Sequence, residues 1–258
     1  MRRTALALFL GVIGLAQWSP ISSLSAQSAP PLSGKQFGVS IAGADFAESR
    51  LPGTRNTDYI YAADASRQQY LATRGQKLIR IPFRWERVQR TAFGPLWTDD
   101  IAGLRAMLDA AAAAGQVAIL DMHNYARYYD VPLTRADAAK LNDVWQKLAH
   151  EFRGHPALFG YEIMNEPHTL PEGSSAWADL AQAATTAIRK EDSNAWVLVP
   201  GYAWQGAWYW PQNNASLNVT DPAGRMLYAA HQYFDRDGSG TYGSGFDQEG
   251  AYPAIGVD

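Results

Sequence analysis

The sequence predicts an α/β protein built around a parallel sheet, and three observations lead to this fold class. Six short runs are apolar almost throughout, which is typical of strands that are buried on both faces. The runs begin roughly every 40 residues, which is the spacing of a repeated strand–helix unit. Amphipathic helical patterns lie between the runs. The six predicted strands cover residues 37–41, 77–83, 116–123, 158–164, 196–199 and 226–231.

Three helices are predicted between these strands. The first is capped by Thr98 or Asp99 and closed by Gly115, and the other two carry apolar faces over residues 141–152 and 177–188. A parallel barrel and a doubly wound sheet both agree with this alternation. No glycine-rich phosphate-binding turn follows the first strand, which argues against a dinucleotide-binding fold.

The composition excludes several classes of protein. The chain has 258 residues, of which 47% are hydrophobic and 18% are charged, so a disordered tail protein is excluded. The net charge of −3 predicts no nucleic-acid partner, because such partners are held by a basic face. The absence of cysteine excludes a disulfide scaffold, a thiol nucleophile and a cysteine-ligated zinc site.

Residues 1–26 are typical of a secretory signal peptide. Two arginines precede an apolar run from Ala5 to Ala16, and small residues follow it. The run is shorter than the roughly 20 residues that a membrane span needs, so we predict no membrane anchor. Residues 27–35 are interpreted as a Ser/Pro-rich tether. The protein is therefore predicted to be secreted or periplasmic, and of bacterial origin.

Polar side chains stand at the carboxyl ends of the predicted strands, where parallel α/β folds place their chemistry. Each of them alone also fits a structural role, such as half of an ion pair for Arg80 or a buried core position for His123 or His231. Polar residues stand at the carboxyl ends of four different strands, and this shared placement favours a functional site over separate structural roles. The residues concerned are Arg80, Asp121, His123, Asn124, Asn165, Glu166, His231 and Tyr233.

A carboxylic acid beside an amide is suited to glycoside cleavage, which needs a general acid at the leaving oxygen and a second carboxylate across the sugar. Glu166 is predicted to be that acid, with a pKa raised by burial or by a nearby negative charge. Asn165 is predicted to bind the sugar 2-hydroxyl.

Four motifs occur in a fixed order along the chain. They are Ile79-Arg80-Ile81-Pro82, His123-Asn124, Ile163-Met164-Asn165-Glu166-Pro167 and His231-Gln232-Tyr233. In this order and at these spacings they resemble glycoside hydrolase family 5, the retaining cellulases, over residues 36–258. We interpret that range as the catalytic domain.

The resemblance implies a (β/α)8 TIM barrel that works without a cofactor or a metal. It implies double displacement with retention, in which Glu166 is the acid/base. The stretch 231–240 resembles the endo-β-1,4-glucanase branch, which implies a monomeric enzyme acting on β-glucan polysaccharide. β-Mannanase is the nearest alternative within the family. The implied substrate-binding residues are Arg80, His123, Asn124, Asn165, Trp204, His231 and Tyr233.

Trp204 joins that set because a glucan cleft needs aromatic faces, which pack on the apolar faces of pyranose rings. It belongs to a cluster with Trp208, Tyr209 and Trp210 after the fifth strand, and Trp85 follows the second strand. The alternative for all of these side chains is packing beneath loops. Trp145 and Trp177 stand on apolar helix faces and are predicted to be core residues.

The second carboxylate is the element that the sequence does not supply. The family's Gly-Glu-Phe-Gly-like segment at the seventh strand is missing, and Asp247, Glu249 and Asp258 are poor candidates. We therefore expect about six of the eight βα units in this chain, with the nucleophile beyond residue 258. The chain as given is expected to be inactive and poorly soluble.

Three other interpretations of the sequence are weaker. A non-catalytic glucan-binding barrel would keep the cleft without the nucleophile. A metal-dependent hydrolase would use Asp121, His123 and His231. Residues 235–240 resemble the start of a calcium loop, but the twelfth position, where glutamate is needed, is Phe246.

Overall fold

The computed structural model describes residues 36–235, 237–243 and 245, and its centre is one six-stranded parallel sheet. All five strand pairs of this sheet are parallel, and each strand is hydrogen-bonded to the next sheet strand along the chain. Its strands, in spatial order, are β1 (Gly38–Ser40), β2 (Leu78–Phe83), β3 (Val117–Met122), β6 (Leu158–Glu162), β7 (Trp196–Pro200) and β8 (Met226–Ala229).

The strand order decides between the two parallel folds that the sequence allowed. A doubly wound sheet reverses its strand order at a switch point, whereas a barrel adds each new strand to the same side. The observed order never reverses, so the predicted α/β class is confirmed as part of a (β/α)8 barrel. The six strands match the six predicted runs, each ending within two residues of the expected position.

Close strand approach depends on Gly160 in β6. A Cβ atom at this position would lie 2.3 Å from the carbonyl oxygen of Trp196 in β7, so any other residue would push the two strands apart. The pair matters for the site because β6 and β7 lead directly into the loops that carry the candidate catalytic groups.

The helices lie between successive strands, as expected for βα units. The three predicted helices are confirmed, but the cap of the first of them, α3 (Thr98–Ala113), was predicted wrongly: its N-cap is Trp97, whose side chain makes no cap hydrogen bond. Thr98 and Asp99 lie in the first turn, where a carboxylate is favoured by the positive end of the helix dipole. The helices are α1 (Ala65–Thr73), α2 (Trp85–Val88), α3 (Thr98–Ala113), α4 (Ala138–Phe152), α5 (Gly173–Glu191) and α6 (Trp210–Asn213).

The core is the layer between the sheet and α3, α4 and α5. Trp145 and Trp177 are fully buried, which confirms their predicted core positions. Each indole donates a hydrogen bond to a strand-end carbonyl, Trp145 to Ile163 at 3.1 Å and Trp177 to Pro200 at 2.8 Å. Trp85 is also fully buried, so it packs beneath a loop and does not line a cleft.

A short antiparallel hairpin after β3 was not predicted. It consists of β4 (Arg127–Tyr128) and β5 (Val131–Pro132) and is closed by Tyr129 and Asp130. Both turn residues have positive φ, 49° and 61°, as two-residue hairpin turns of type I′ require. The sequence carried no Asn-Gly or Asp-Gly signal for such a turn.

Two short 3₁₀ helices, Glu48–Arg50 and Arg135–Asp137, complete the described elements. Among the helices that the structure describes, none combines the length and apolar character needed to cross a membrane. The predicted signal peptide and tether lie outside the described residues, as do Asp247, Glu249 and Asp258.

Candidate active site

The carboxyl ends of β2, β3 and β6 meet around the guanidinium of Arg80. Its Nε donates to Oε2 of Glu162 at 2.7 Å, and its Nη2 lies 2.9 Å from Oδ2 of Asp121. Nη2 also donates to Oδ1 of Asn165 at 2.7 Å. One cation thus joins three strand ends, as the alignment of polar residues in the sequence predicted. We call Arg80, Asp121, Glu162 and Asn165 the floor of the site.

The two carboxylates beside Arg80 stabilise its positive charge. Burial lowers the pKa of Arg80, but the charges of Asp121 and Glu162 outweigh this effect and raise the pKa above its usual range. Glu162 was not singled out from the sequence, because it stands inside an apolar strand run. An acidic residue at that place was the signal that could have identified it.

His123 is attached to the floor through Asp121. Its Nδ1 lies 2.6 Å from Oδ2 of Asp121, so the proton of the neutral ring belongs on Nδ1 and the carboxylate accepts it. The ring is thereby held in one orientation at the end of β3. A substrate-binding role for His123 stays a prediction.

Asn124, the neighbour of His123, is almost completely buried. Its Oδ1 accepts from the backbone N–H of Trp85 at 2.7 Å, and its Nδ2 donates to both carboxylate oxygens of Glu86 at 2.8 and 3.0 Å. Glu86 is fully buried and also accepts from the Tyr129 backbone N–H. These contacts fix the loops after β2 and β3, and the predicted contact of Asn124 with substrate stays a prediction.

Glu166 lies four residues beyond the end of β6 and faces the end of β8. Its Oε1 accepts from Nδ1 of His231 at 2.7 Å and from the Tyr233 hydroxyl at 3.2 Å. The two residues predicted at the end of the sixth strand, His231 and Tyr233, therefore meet the predicted acid, 65 and 67 positions away in sequence. The side chain of Glu166 is 13% exposed, which leaves it accessible from the cleft.

The expected rise in the pKa of Glu166 is not observed. Burial raises the pKa, but the hydrogen bond and charge of His231 and the hydrogen bond from Tyr233 outweigh it, and the net pKa falls below the usual glutamate value. Among the described residues the neighbours of Glu166 stabilise its carboxylate, and no second carboxylate that would raise the pKa stands beside it. The charge of Glu166, together with burial, raises the pKa of Tyr233.

Trp204 forms an exposed aromatic face beside Glu166. Its indole is 51% exposed and stacks on the ring of His168, with ring centroids 4.4 Å apart and planes 13° from parallel. A cleft of about 340 Å³ is bordered by Glu166, Trp204, Trp208, Tyr209, His231 and Tyr233. The predicted position of Trp204 in a cleft with the acid agrees with this geometry.

His168 is a residue of the site that sequence reasoning missed. Its Nε2 lies 3.2 Å from Nη1 of Arg127, which can only donate, so the proton of the ring is on Nδ1, 3.0 Å from the Thr169 hydroxyl. Burial and the charge of Arg127 lower the pKa of His168. The His168 ring lies between the cleft beside Trp204 and a second cavity of about 650 Å³, which is lined in part by Tyr125.

The loop after β7 has an unusual backbone. Ala203, Trp204 and Gln205 have φ values of 59°, 56° and 55°, and Glu166 has a φ of 44°. Each such residue costs about 1–3 kcal/mol unless its surroundings hold it, and such residues cluster at functional sites. The strain lies on the two segments that carry the predicted acid, Glu166, and its aromatic neighbour Trp204.

No group of three or more His, Cys, Asp or Glu side chains within the described ranges could hold a metal ion. In the loop that resembles a calcium loop, Oδ2 of Asp235 accepts from the Ser239 hydroxyl and the Tyr242 backbone N–H. Phe246 lies outside the described residues.

A parallel barrel with carboxylates, histidines and an aromatic cleft at the carboxyl ends of its strands defines the class of barrel enzymes that act at that face. The family model described as "Cellulase (glycosyl hydrolase family 5)" matches residues 39–253. The chain therefore belongs to glycosyl hydrolase family 5.

Several curated relatives are fungal proteins named as glucanases. The chain is 33% identical over 208 residues to a probable endo-beta-1,4-glucanase B of Neosartorya fischeri, covering 80% of this chain and 61% of that protein. It is 35% identical over 208 residues to endo-beta-1,4-glucanase A of Emericella nidulans, with coverages of 80% and 62%. The chain thus spans about three-fifths of the length of these relatives.

Two of the solved structures with the same fold come from bacteria. Pseudomonas stutzeri endoglucanase Cel5A in complex with cellobiose is 43% identical, with a TM-score of 0.75 and coverages of 80% of this chain and 62% of that one. An endo-beta-1,4-glucanase from Xanthomonas axonopodis pv. citri is 36% identical, with a TM-score of 0.76 and coverages of 81% and 68%.

Proposed function

We propose that this chain carries the acid/base half of a retaining endo-β-1,4-glucanase, with Glu166 as the acid/base. One observation carries the proposal: the Glu166 carboxyl is held by His231 and Tyr233 at the edge of a cleft that Trp204 also borders. The names of the relatives support β-1,4-glucan as substrate over mannan.

The proposed reaction has two steps that share one proton-transfer group. In the first, the Glu166 carboxyl gives its proton to the leaving glycosidic oxygen while a carboxylate nucleophile bonds to the anomeric carbon. In the second, Glu166 takes a proton from water, whose oxygen displaces the nucleophile. Trp204 supplies an apolar face for a pyranose ring.

The nucleophile stays a prediction, placed beyond residue 258. A second carboxylate near Glu166 would disfavour its ionised form and raise its pKa from the lowered value found here. The acid state that the first step needs therefore depends on that carboxylate. Sequencing the gene past codon 258 checks the prediction, which requires a strand ending in glutamate within about 40 residues, the length of one βα unit.

The test of the proposed function is Glu166→Gln in the full chain as its gene encodes it. We expect release of reducing sugar from carboxymethylcellulose, a soluble glucan, to fall by about 10²–10⁴-fold, the usual contribution of a general acid. Cleavage of a dinitrophenyl cellobioside should fall far less in its first step, because that leaving group needs no proton. Glu172→Gln, on the outer surface, is the matched control.

Three results would contradict the proposal. Equal rates for Glu166→Gln and Glu172→Gln would remove Glu166 from the reaction. Turnover of mannan in preference to β-1,4-glucan would replace the substrate class with that of a β-mannanase. Binding of cello-oligosaccharides without any turnover by the full gene product would support a glucan-binding barrel instead.

We also propose that the protein is exported and acts as a monomer. The basic and apolar start of the chain supports export. Mass spectrometry of the protein recovered outside the cytoplasm should show cleavage near residue 26, and sedimentation should give the mass of one chain. An uncleaved N-terminus or a dimer mass would contradict these two proposals.

A further inference from the structure

Gln205 is a buried side chain at the meeting point of three segments of the site. It is fully buried and lies in the left-handed loop after β7. Its Oε1 accepts from the backbone N–H of Glu166 at 2.7 Å, and its Nε2 donates to Oε1 of Glu162 at 3.0 Å. Its backbone carbonyl accepts from the N–H of His231 at 2.7 Å.

We propose that Gln205 is the positioning residue of the acid/base: it fixes the backbone of Glu166 against His231 and ties both to the floor. No other described residue contacts Glu162, Glu166 and His231 together through hydrogen bonds. The inference rests on the proposed role of Glu166. It concerns how that carboxyl is held in place, which is a separate property from whether it reacts.

The chemistry of the partners requires an amide at this position. Glu162 carries a carboxylate that accepts, and the Glu166 backbone N–H can only donate. Among side chains of this size, glutamine presents one donor and one acceptor at the same end at neutral pH, whereas glutamate does so only when it is protonated. The orientation of the Gln205 amide is therefore fixed by its two partners.

The contact matters because the backbone of Glu166 is strained. Glu166 has a φ of 44°, and its N–H is bonded to a side chain rather than to a carbonyl of a neighbouring strand. Losing the Gln205 acceptor frees this residue to relax toward an ordinary conformation. Its carboxyl would then move away from His231 and Tyr233.

Two substitutions separate positioning from simple packing. Gln205→Leu removes both hydrogen bonds at nearly constant volume, and we expect kcat to fall about 10²-fold with KM nearly unchanged, the loss typical of a misplaced catalytic group. Gln205→Glu keeps the acceptor for Glu166 but sets two carboxyl groups 3.0 Å apart at Glu162. Its activity should recover toward acidic pH, where one proton bridges the pair.

The matched control is Gln182→Leu on the outer face of α5, where the amide donates to and accepts from Thr220. It removes a bridging glutamine far from the site and should leave kcat unchanged. Equal kcat values for Gln205→Leu and Gln182→Leu would overturn the proposal. So would a Gln205→Glu variant whose loss does not depend on pH.

A carboxyl ¹³C NMR titration of the full chain reads the position of Glu166 without turnover. The signal is assigned by its disappearance in Glu166→Gln. In Gln205→Leu the pKa of Glu166 should rise, because burial remains while the bonds from His231 and Tyr233 loosen. An unchanged pKa would overturn the positioning role, whereas an active Glu166→Gln variant would overturn only the proposed function.

If neither Gln205 variant folds, the wild-type chain still decides. The proposal requires slow hydrogen exchange at the Glu166 amide, because its N–H is bonded to a fully buried acceptor. Exchange at the rate of an exposed loop amide would overturn it.

Discussion

The floor and the rim of the candidate site are built in different ways. The floor joins Arg80, Asp121 and Glu162 in buried ion pairs at the ends of sheet strands. The rim is the pair Trp204 and His168, which stack on each other on loops, with the indole about half exposed. The floor therefore depends on charge balance in a low-dielectric interior, and the rim depends on surface stacking and on protonation state.

The largest expected effect comes from breaking the floor with Arg80→Met. This change leaves two buried carboxylates without their cation, and we expect a loss of about 3–5 kcal/mol in the free energy of unfolding. Arg135→Met is the matched control, since Arg135 also pairs with two carboxylates but is 42% exposed. That control should lose much less stability, because solvent screens the ion pairs of an exposed arginine. Urea denaturation of both variants measures the difference, and equal losses would contradict a charge-dependent floor.

A smaller effect is expected from removing the rim with Trp204→Ala. We expect binding of cellopentaose to weaken about 5- to 30-fold, which corresponds to about 1–2 kcal/mol of aromatic contact. The free energy of unfolding should change by less than about 0.5 kcal/mol, because the side chain is exposed.

Trp177→Ala is the control for Trp204→Ala, because Trp177 is fully buried. It should lose about 3–5 kcal/mol of stability, the usual cost of deleting a core tryptophan. Calorimetric titration with cellopentaose and urea denaturation separate the two effects. A Trp204→Ala variant that unfolds as easily as Trp177→Ala, yet binds cellopentaose normally, would place Trp204 in the core.

The smallest effect is a pH dependence of the rim. Because the pKa of His168 is lowered in the folded protein, the unfolded chain binds the extra proton more readily below about pH 6.5, the ordinary histidine value. The stability that neutral His168 contributes is therefore present above that pH and is lost as pH falls. Protonation of His168 would also place a second cation beside Arg127, and Nε2 of His168 could then no longer accept the hydrogen bond from Arg127.

His168→Phe keeps an aromatic ring against Trp204 but cannot titrate. Between pH 7 and pH 5 the wild type should lose more stability than this variant, by less than about 1 kcal/mol, since the group is partly exposed. Urea denaturation at several pH values measures the gap, and parallel pH profiles for the two proteins would contradict the role of His168. Thr169 and Tyr125 do not titrate in this range, and Glu166 is common to both proteins.

The parallel strands and the main polar residues of the site could be predicted from the sequence, because strand ends converge whatever the loops do. Arg80, Glu166 and His231 were found in this way. Glu162 was missed because one acidic residue inside an apolar run reads as part of a strand. Gln205 was missed because its role depends on partners 39 and 43 positions away, which only the folded chain brings together.

Loop geometry and titration behaviour were beyond sequence reasoning. Glu166 and residues 203–205 have positive φ values but carry ordinary side chains. No glycine in the sequence therefore marked these four positions. A positively charged hydrogen-bond donor beside Glu166 lowers its pKa, whereas a second carboxylate beside it would raise its pKa. The sequence pointed to Glu166 as the candidate acid but could not say which neighbour would determine its charge.

The left-handed run at residues 203–205 also bears on thermostability and on evolution. Ala203 is the member of the run whose side chain makes no hydrogen bond or ring contact that the site uses, so glycine there would relieve strain without touching Trp204 or Gln205. In a lineage selected for heat tolerance, Ala203→Gly is therefore a substitution that would reduce backbone strain without changing the neighbouring side chains. The next two positions carry the proposed cleft face, Trp204, and the proposed positioning residue, Gln205, so the proposals imply that adaptation to high temperature leaves these two unchanged.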